Sequence, residues 1–178
     1  MPRQLALLRG INLASKRRIG MTDLRRVLEE AGYEDVRTHL QSGNVLLSSP
    51  LSARKLETQL ERQLADALGF DIPVLVRTRA ELAKVVAHDP LGAVASNPSR
   101  YVVGFLSKRL PAKVARELES ADVAPEQVIV HGRELYSWHP DGLQQSQLST
   151  LLDDRRLGVV STARNWNTVV KLLELLEQ

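Results

Sequence analysis

Residues 35–49 read DVRTHLQSGNVLLSS. Val36, Thr38 and Leu40 alternate with polar neighbours, Ser42, Gly43 and Asn44 supply a turn, and Val45–Leu47 return as an apolar run. That pattern predicts a β-hairpin. Working outward, QLALLRG at residues 4–10 reads as a buried strand, followed by a polar loop over 11–20. Thr22 is placed to cap a helix with the stripe Leu24, Leu28 and Ala31, stopped by Gly32. Beyond the hairpin, Pro50 and Ser52 precede a longer helix with Leu56, Leu60, Leu64 and Leu68 spaced by four and closed by Gly69. IPVLVRT at 72–78 is the next strand. The order βαββαβ is the split-βαβ, ferredoxin-like pattern.

The same order then begins again. Residues 79–88 read as a connecting helix, and DPLGAVASNPSR at 89–100 is the stretch richest in breakers. YVVGFLS is a strand, Pro111 opens a helix through Val114 and Leu118, and EQVIVHGRELYSWHP is a second hairpin turning near Gly132. LQQSQLSTLLDD reads as a short helix and LGVVSTA as a closing strand. The expected fold class is therefore α+β: two consecutive ferredoxin-like units with antiparallel sheets, 1–79 and 80–178, related in topology but without a residue-level repeat. A final helix in TARNWNTVVKLLELLEQ is extra. It is expected to dock back on the first unit or on the junction.

Bulk properties exclude several classes. The chain has no cysteine, so disulfides and thiolate metal sites are ruled out, which suits a cytoplasmic location. The N-terminal apolar run is too short for a signal peptide, and no stretch reaches the ~20 apolar residues of a membrane span. Net charge is only +3, but residues 1–26 carry Arg3, Arg9, Lys16, Arg17, Arg18, Arg25 and Arg26 against Asp23 alone, a local +6. Positive charge concentrated this way attracts anions.

No GxGxxG, P-loop, HExxH or GxSxG is present. The four histidines, His39, His88, His131 and His139, are far apart in sequence and none has ligand spacing. Neither a metal nor a cofactor is expected. Three polar stretches remain. In RGIN and its basic continuation, a strand ends at Arg9, Gly10 frees the backbone, and a helix start lies ahead; Asn12, Lys16 and Arg17 complete the candidate anion loop. Arg9 can clamp a phosphate or carboxylate in two-point fashion. In QSGN, Gln41, Ser42, Gly43 and Asn44 set amides and a hydroxyl beside a turn. At the start of the last helix stand Arg164, Asn165 and Asn167, with Asn165 or Thr162 able to cap it and Trp166 leading the apolar stripe as an anchor. Arg164 is spaced to share a helix face with Asn167 or Thr168.

These blocks, LLRGIN, LQSGNV and TARNWNTVVKL, resemble the domain of unknown function 1697 family, and the resemblance spans essentially the whole chain. It implies an uncharacterised bacterial cytosolic group with a ferredoxin-like α+β architecture, and no activity or cofactor. The family's signature segments correspond to Arg9, Gly10 and Asn12, to Gln41–Asn44, and to Arg164–Asn167. This chain is more basic at ASKRRIG, where relatives are richer in glycine. A shared motif of Arg, Asn, Ser and Gly suggests a site, because packing selects apolar residues.

Three functions follow as alternatives. One is a binding module for a phosphate-bearing or otherwise anionic ligand, a nucleotide or nucleic acid, at the three polar segments. Ferredoxin-like sheets also bind RNA through aromatics, and Tyr101, Phe105, Tyr136 and Trp138 form a candidate stacking face, against the alternative of core packing. The second is a metal-free enzyme on a small anionic metabolite, with Ser42 the one nucleophile to name. The third is a structural or regulatory protein whose polar motifs lock the two units together.

Overall fold

The computed structural model describes residues 1–178. The first six elements are β1 (Arg3–Leu8), α1 (Met21–Glu30), β2 (Glu34–His39), β3 (Asn44–Ser48), α2 (Ala53–Leu68) and β4 (Val74–Thr78). They form an antiparallel sheet of order β2-β3-β1-β4, as the hairpin and its flanks predict. α3 (Arg79–His88) follows. Then come β5 (Tyr101–Leu106), α4 (Ala112–Glu119), β6 (Gln127–His131) and β7 (Glu134–Trp138). Two 3₁₀ turns (Leu143–Gln145, Leu148–Leu151), α5 (Asp154–Leu157), β8 (Ser161–Asn165) and α6 (Trp166–Glu177) complete the chain. The second sheet, β6-β7-β5-β8, repeats the order of the first. Two units result: Met1–Ala83 with Leu172–Gln178, and Lys84–Lys171. The division falls inside α3 and α6.

In unit 1 the stripes Leu24/Leu28 of α1 and Leu56/Leu60/Leu64 of α2 close on Ala6, Leu8, Val45, Leu47, Val74 and Val76 of the sheet. Each fully buried leucine is worth about 1.5–3 kcal/mol. Gly69, with φ of 79°, ends α2 in the left-handed conformation that glycine adopts without penalty. β4 is an edge strand, and α2 protects it: Val74 N donates to Glu61 Oε1 at 2.9 Å and Val76 N to Glu57 Oε1 at 2.8 Å. In unit 2, α4 does the same for edge strand β6 through Val130 N and Glu119 Oε1, 2.8 Å. There the core joins Leu106, Leu118, Val128, Leu135, Leu148, Leu157 and Val159.

Four local expectations are corrected. α1 begins at Met21 with Gly20 as its cap residue, so Thr22 lies in the first turn. Asn44 opens β3 rather than sitting in the turn, because its amide donates to His39 O and pulls it into the ladder. LQQSQLSTLLDD makes 3₁₀ turns and then the four-residue α5 instead of one helix; a backbone held by side-chain bonds has replaced a continuous helical ladder. β8 runs on through Arg164 and Asn165, so Arg164 is a strand residue and shares no helix face with Asn167 or Thr168.

Candidate functional site

Two of the three polar segments meet in unit 1. Leu8 N donates to Gly43 O at 2.8 Å, and Arg9 N to Pro73 O at 2.9 Å. Gly43 has φ of 86°, and a Cβ there would lie 2.7 Å from Ile11 Cδ1 and 2.8 Å from Leu8 Cβ. Only glycine lets the two loops come this close. Asn12 ties them further: its Nδ2 donates to Gln41 O at 2.7 Å and to Ile19 O at 3.0 Å, while its Oδ1 accepts from Ile19 N at 2.8 Å. Asn12 N also donates to Arg17 O, 3.0 Å. The loop is thus closed on itself and on QSGN. Asn44 is fully buried, with Nδ2 donating to His39 O at 2.8 Å and Ser42 Oγ at 3.1 Å.

The loop backbone is unusual. Gly10, Asn12, Ala14 and Arg17 all have positive φ, 72°, 56°, 53° and 53°. For Ala14 and Arg17 this costs roughly 1–2 kcal/mol each, and strain of this kind clusters where a loop must hold a set shape. What it displays is charge. Lys16, Arg17 and Arg18 are exposed and none is in an ion pair; Arg17 lies over the Phe70 ring, 5.8 Å from its centroid, and Arg18 Nε donates to Ala14 O at 3.3 Å. Arg9 and Gly10 are half-buried, and Gln41 and Ser42 are exposed on the adjoining turn.

The third segment, Arg164–Asn167, lies in unit 2. Arg164 sits on β8 opposite Val103, 7% exposed, its Nη1 donating to Thr162 Oγ1 at 2.7 Å and Ala163 O at 2.8 Å. Burial pulls its pKa down to about 10, so it keeps its proton at neutral pH. Asn165 caps α6: its Oδ1 accepts from Thr168 N at 3.0 Å. Trp166 is half-buried and stacks on Tyr101 with centroids 4.6 Å apart and planes 13° from parallel. Asn167 is exposed, and the buried stripe of α6 is Val169, Leu172 and Leu176.

The candidate stacking face gives way to its alternative, packing. Tyr101, Phe105, Tyr136 and Trp138 are 1%, 0%, 1% and 7% exposed, and two of them are pegged: the Tyr101 hydroxyl accepts from Leu91 N at 3.3 Å and Tyr136 donates to Val85 O at 3.3 Å. Desolvation raises both phenols well above their ordinary value. These four residues are core.

Sequence reasoning missed two features. Arg77 is completely buried on β4, opposite Leu5, donating to Val76 O at 3.0 Å. Its place matches that of Arg164: each is the fourth residue of its edge strand and faces the third residue of the central strand. Inside IPVLVRT it reads as the polar end of a strand. The second feature is a polar cluster in unit 2. His139, 1% exposed, puts Nδ1 2.9 Å from Glu126 Oε2 and 2.8 Å from Ser146 Oγ, and Nε2 2.8 Å from Ser137 Oγ. Facing a carboxylate, Nδ1 carries the proton and Nε2 accepts from Ser137. Ser146 also donates to Glu126, and Glu126 Oε1 accepts from Gln147 N at 2.9 Å and Leu148 N at 3.2 Å. Ser137, His139 and Glu126 stand in nucleophile, base and carboxylate order. Ser137 is 2% exposed and its hydroxyl is spent on His139, so the cluster reads as a clamp. Burial lowers the His139 pKa against the pull of Glu126. Burial opposes ionisation of Glu126, but the bonds from Ser146, Leu148, His139 and Gln147 together hold it below its ordinary value.

A solved structure of a conserved bacterial protein, SP0830 from Streptococcus pneumoniae, superposes with a TM-score of 0.78 over 98% of both chains at 22% sequence identity, which shows a common fold. No curated protein matches the chain. The family described as "Protein of unknown function (DUF1697)" matches residues 1–136, which carry both RGIN and QSGN, and the chain belongs to that family.

Proposed function

We propose that unit 1 is a binding module for a phosphate-bearing ligand, a nucleotide or nucleic acid, in the cytoplasm, gripped by the loop from Arg9 to Arg18. The observation that carries this reading is three consecutive exposed cations, Lys16, Arg17 and Arg18, outside any ion pair, on a loop held to shape by the Asn12 bonds and four positive-φ residues. Unneutralised cations on a preorganised loop lose little freedom when an anion docks. Asn12, Gly43 and Asn44 build the platform, and the cations with Arg9 contact the ligand.

The test is binding of a short fluorescent RNA followed by anisotropy over a salt titration. The slope of log K against log salt is expected to be about −0.7 for each phosphate neutralised on a single strand. Replacing Lys16, Arg17 and Arg18 together by Ser should reduce it by about two. Affinity that ignores salt, or an unaltered triple variant, overturns the reading.

A second reading rests on the bonds themselves. Asn12, Asn44 and Asn165 each use their amides on backbone or side-chain partners a few residues away or on the neighbouring loop. On this view the polar segments are locks. It predicts that Asn12→Ala lowers stability, and that no anion raises the melting temperature of the wild-type protein.

A further inference from the structure

Unit 1 holds a second feature away from the basic loop: a cleft of about 550 Å³ at the end of the sheet where β1 starts and β4 stops. Its size is that of a small-molecule site. Arg3 and Arg79 supply positive charge, and Leu51, Ala53 and Leu176 supply apolar wall. Arg79 is 62% exposed and touches Glu177 only at 4.0 Å, so its guanidinium is available.

Two further observations bear on what fits there. Gln4, in the cleft wall and 2% exposed, donates through Nε2 to Leu51 O at 2.8 Å and Ser49 O at 3.3 Å. Those two carbonyls fix which end of the amide is nitrogen. Its oxygen is buried and has no donor. An unsatisfied buried acceptor is uncommon and calls for a partner. The helix starts also differ. At α3, Thr78 N donates to Glu81 Oε2 at 2.8 Å and Glu81 N to Thr78 Oγ1 at 3.2 Å, closing a capping box. At α2, a helix of 16 residues, Ser52 makes no cap bond and the first turn carries no acid. Its positive end is left uncompensated beside Arg3 and Arg79.

We propose that this cleft binds a small organic anion that also carries a hydroxyl or amino donor: the anionic group between Arg79 and the start of α2, the donor on Gln4 Oε1, and the carbon skeleton against Leu51 and Leu176. The site is separate from the basic loop and does not depend on the reading given to it.

The experiment is an amide NMR titration of the full chain with 3-hydroxybutyrate, glycerol 3-phosphate and, lacking the donor, butyrate. Saturable shifts are expected at the Ser52–Arg54 amides and at the Gln4 side-chain amide. Butyrate should bind about tenfold more weakly than 3-hydroxybutyrate, the worth of one hydrogen bond to a buried group. Arg79→Ala, at an exposed position, should weaken the preferred anion about tenfold, and whether carboxylate or phosphate binds tighter identifies the head group. Gln4→Met should bring hydroxybutyrate and butyrate to equal affinity. If that variant does not fold, Arg79→Ala decides. No saturable shift with any of the three, shifts confined to residues 9–20, equal binding of butyrate and 3-hydroxybutyrate to the wild type, or an Arg79→Ala protein that binds as wild type does overturns the proposal.

Discussion

In unit 1 the connection between the last two strands is α2, which covers the sheet through Leu56, Leu60 and Leu64; in unit 2 the equivalent connection, between β7 and β8, is two 3₁₀ turns and the four-residue α5. Strand order is the same in both. The difference lies in what replaces helical periodicity. Leu148 and Leu157 still enter the core of unit 2, but the backbone between β7 and Leu148 is held by Glu126, which accepts from Gln147 N, Leu148 N and the Ser146 hydroxyl while facing His139. One topology therefore tolerates either an apolar stripe or a carboxylate clamp as its second layer, and the two should respond differently to substitution and to pH.

The largest effect is expected in the apolar layer. Leu60 is 1% exposed in the middle of its stripe, and Leu60→Ala should cost about 2–5 kcal/mol through lost transfer energy and a residual cavity. Urea denaturation followed by far-ultraviolet circular dichroism reads this. The clamp should be worth less. Glu126→Gln turns an amide N–H₂ or a neutral oxygen toward groups that donate to a carboxylate, at about 1–3 kcal/mol. Trp138 and Trp166, the chain's two tryptophans, both belong to unit 2 and report on it by fluorescence. A Glu126→Gln loss as large as that of Leu60→Ala would break the comparison.

The layers should also differ in acid. His139 has a lowered pKa in the folded chain, so the unfolded chain binds the proton more readily. Its contribution is complete above the ordinary value of 6.5 and is lost as pH falls from there through the folded value. Glu126, also lowered, adds a loss in the same direction below 4.5. Unit 2 should weaken as pH falls below the ordinary histidine value of 6.5, and His139→Gln should flatten that part of the fluorescence-detected stability curve. A variant with the wild-type slope would show that the clamp is not the acid-sensitive element.

The contrast explains what could be read in advance. Leu56, Leu60 and Leu64 announce a helix because apolar spacing is local, and Ser42–Gly43 announce the hairpin turn for the same reason. Gly43 was legible as a turn residue, but not the RGIN–QSGN contact it permits, because the Leu8 and Ile11 side chains that exclude a Cβ arrive from another loop. Arg77 and the Glu126 cluster were not legible. Arg77 alternates with Val74 and Val76, which meet α1 and α2, so it lies on the other face of its sheet, and no local pattern tells that this face is covered; Glu126 meets His139 and Ser146 across irregular chain whose course no periodicity encodes. Tyr101 and Trp138 show the opposite failure: alternation placed them on one face correctly, but whether that face is open is a tertiary property.

Smaller effects sharpen the comparison at the polar segments. Asn165→Ala removes the cap of α6 and should cost about 1 kcal/mol, most of it recovered by Asn165→Asp, in urea denaturation read by Trp166, the residue that follows. Arg17→Gly should scarcely alter stability, and for a specific reason. Glycine relieves a left-handed conformation worth roughly 1–2 kcal/mol. Against that stand the added freedom of the unfolded chain, about 0.5–1 kcal/mol, and the lost cation over Phe70, about 0.5–1 kcal/mol. The terms nearly cancel, so the unfolding midpoint should stay put, while the salt slope for RNA binding should fall by about 0.7 for the one charge removed. A variant that unfolds more easily yet binds RNA as before would make Arg17 a brace of its loop, and the positive φ would belong to packing rather than to the display of charge.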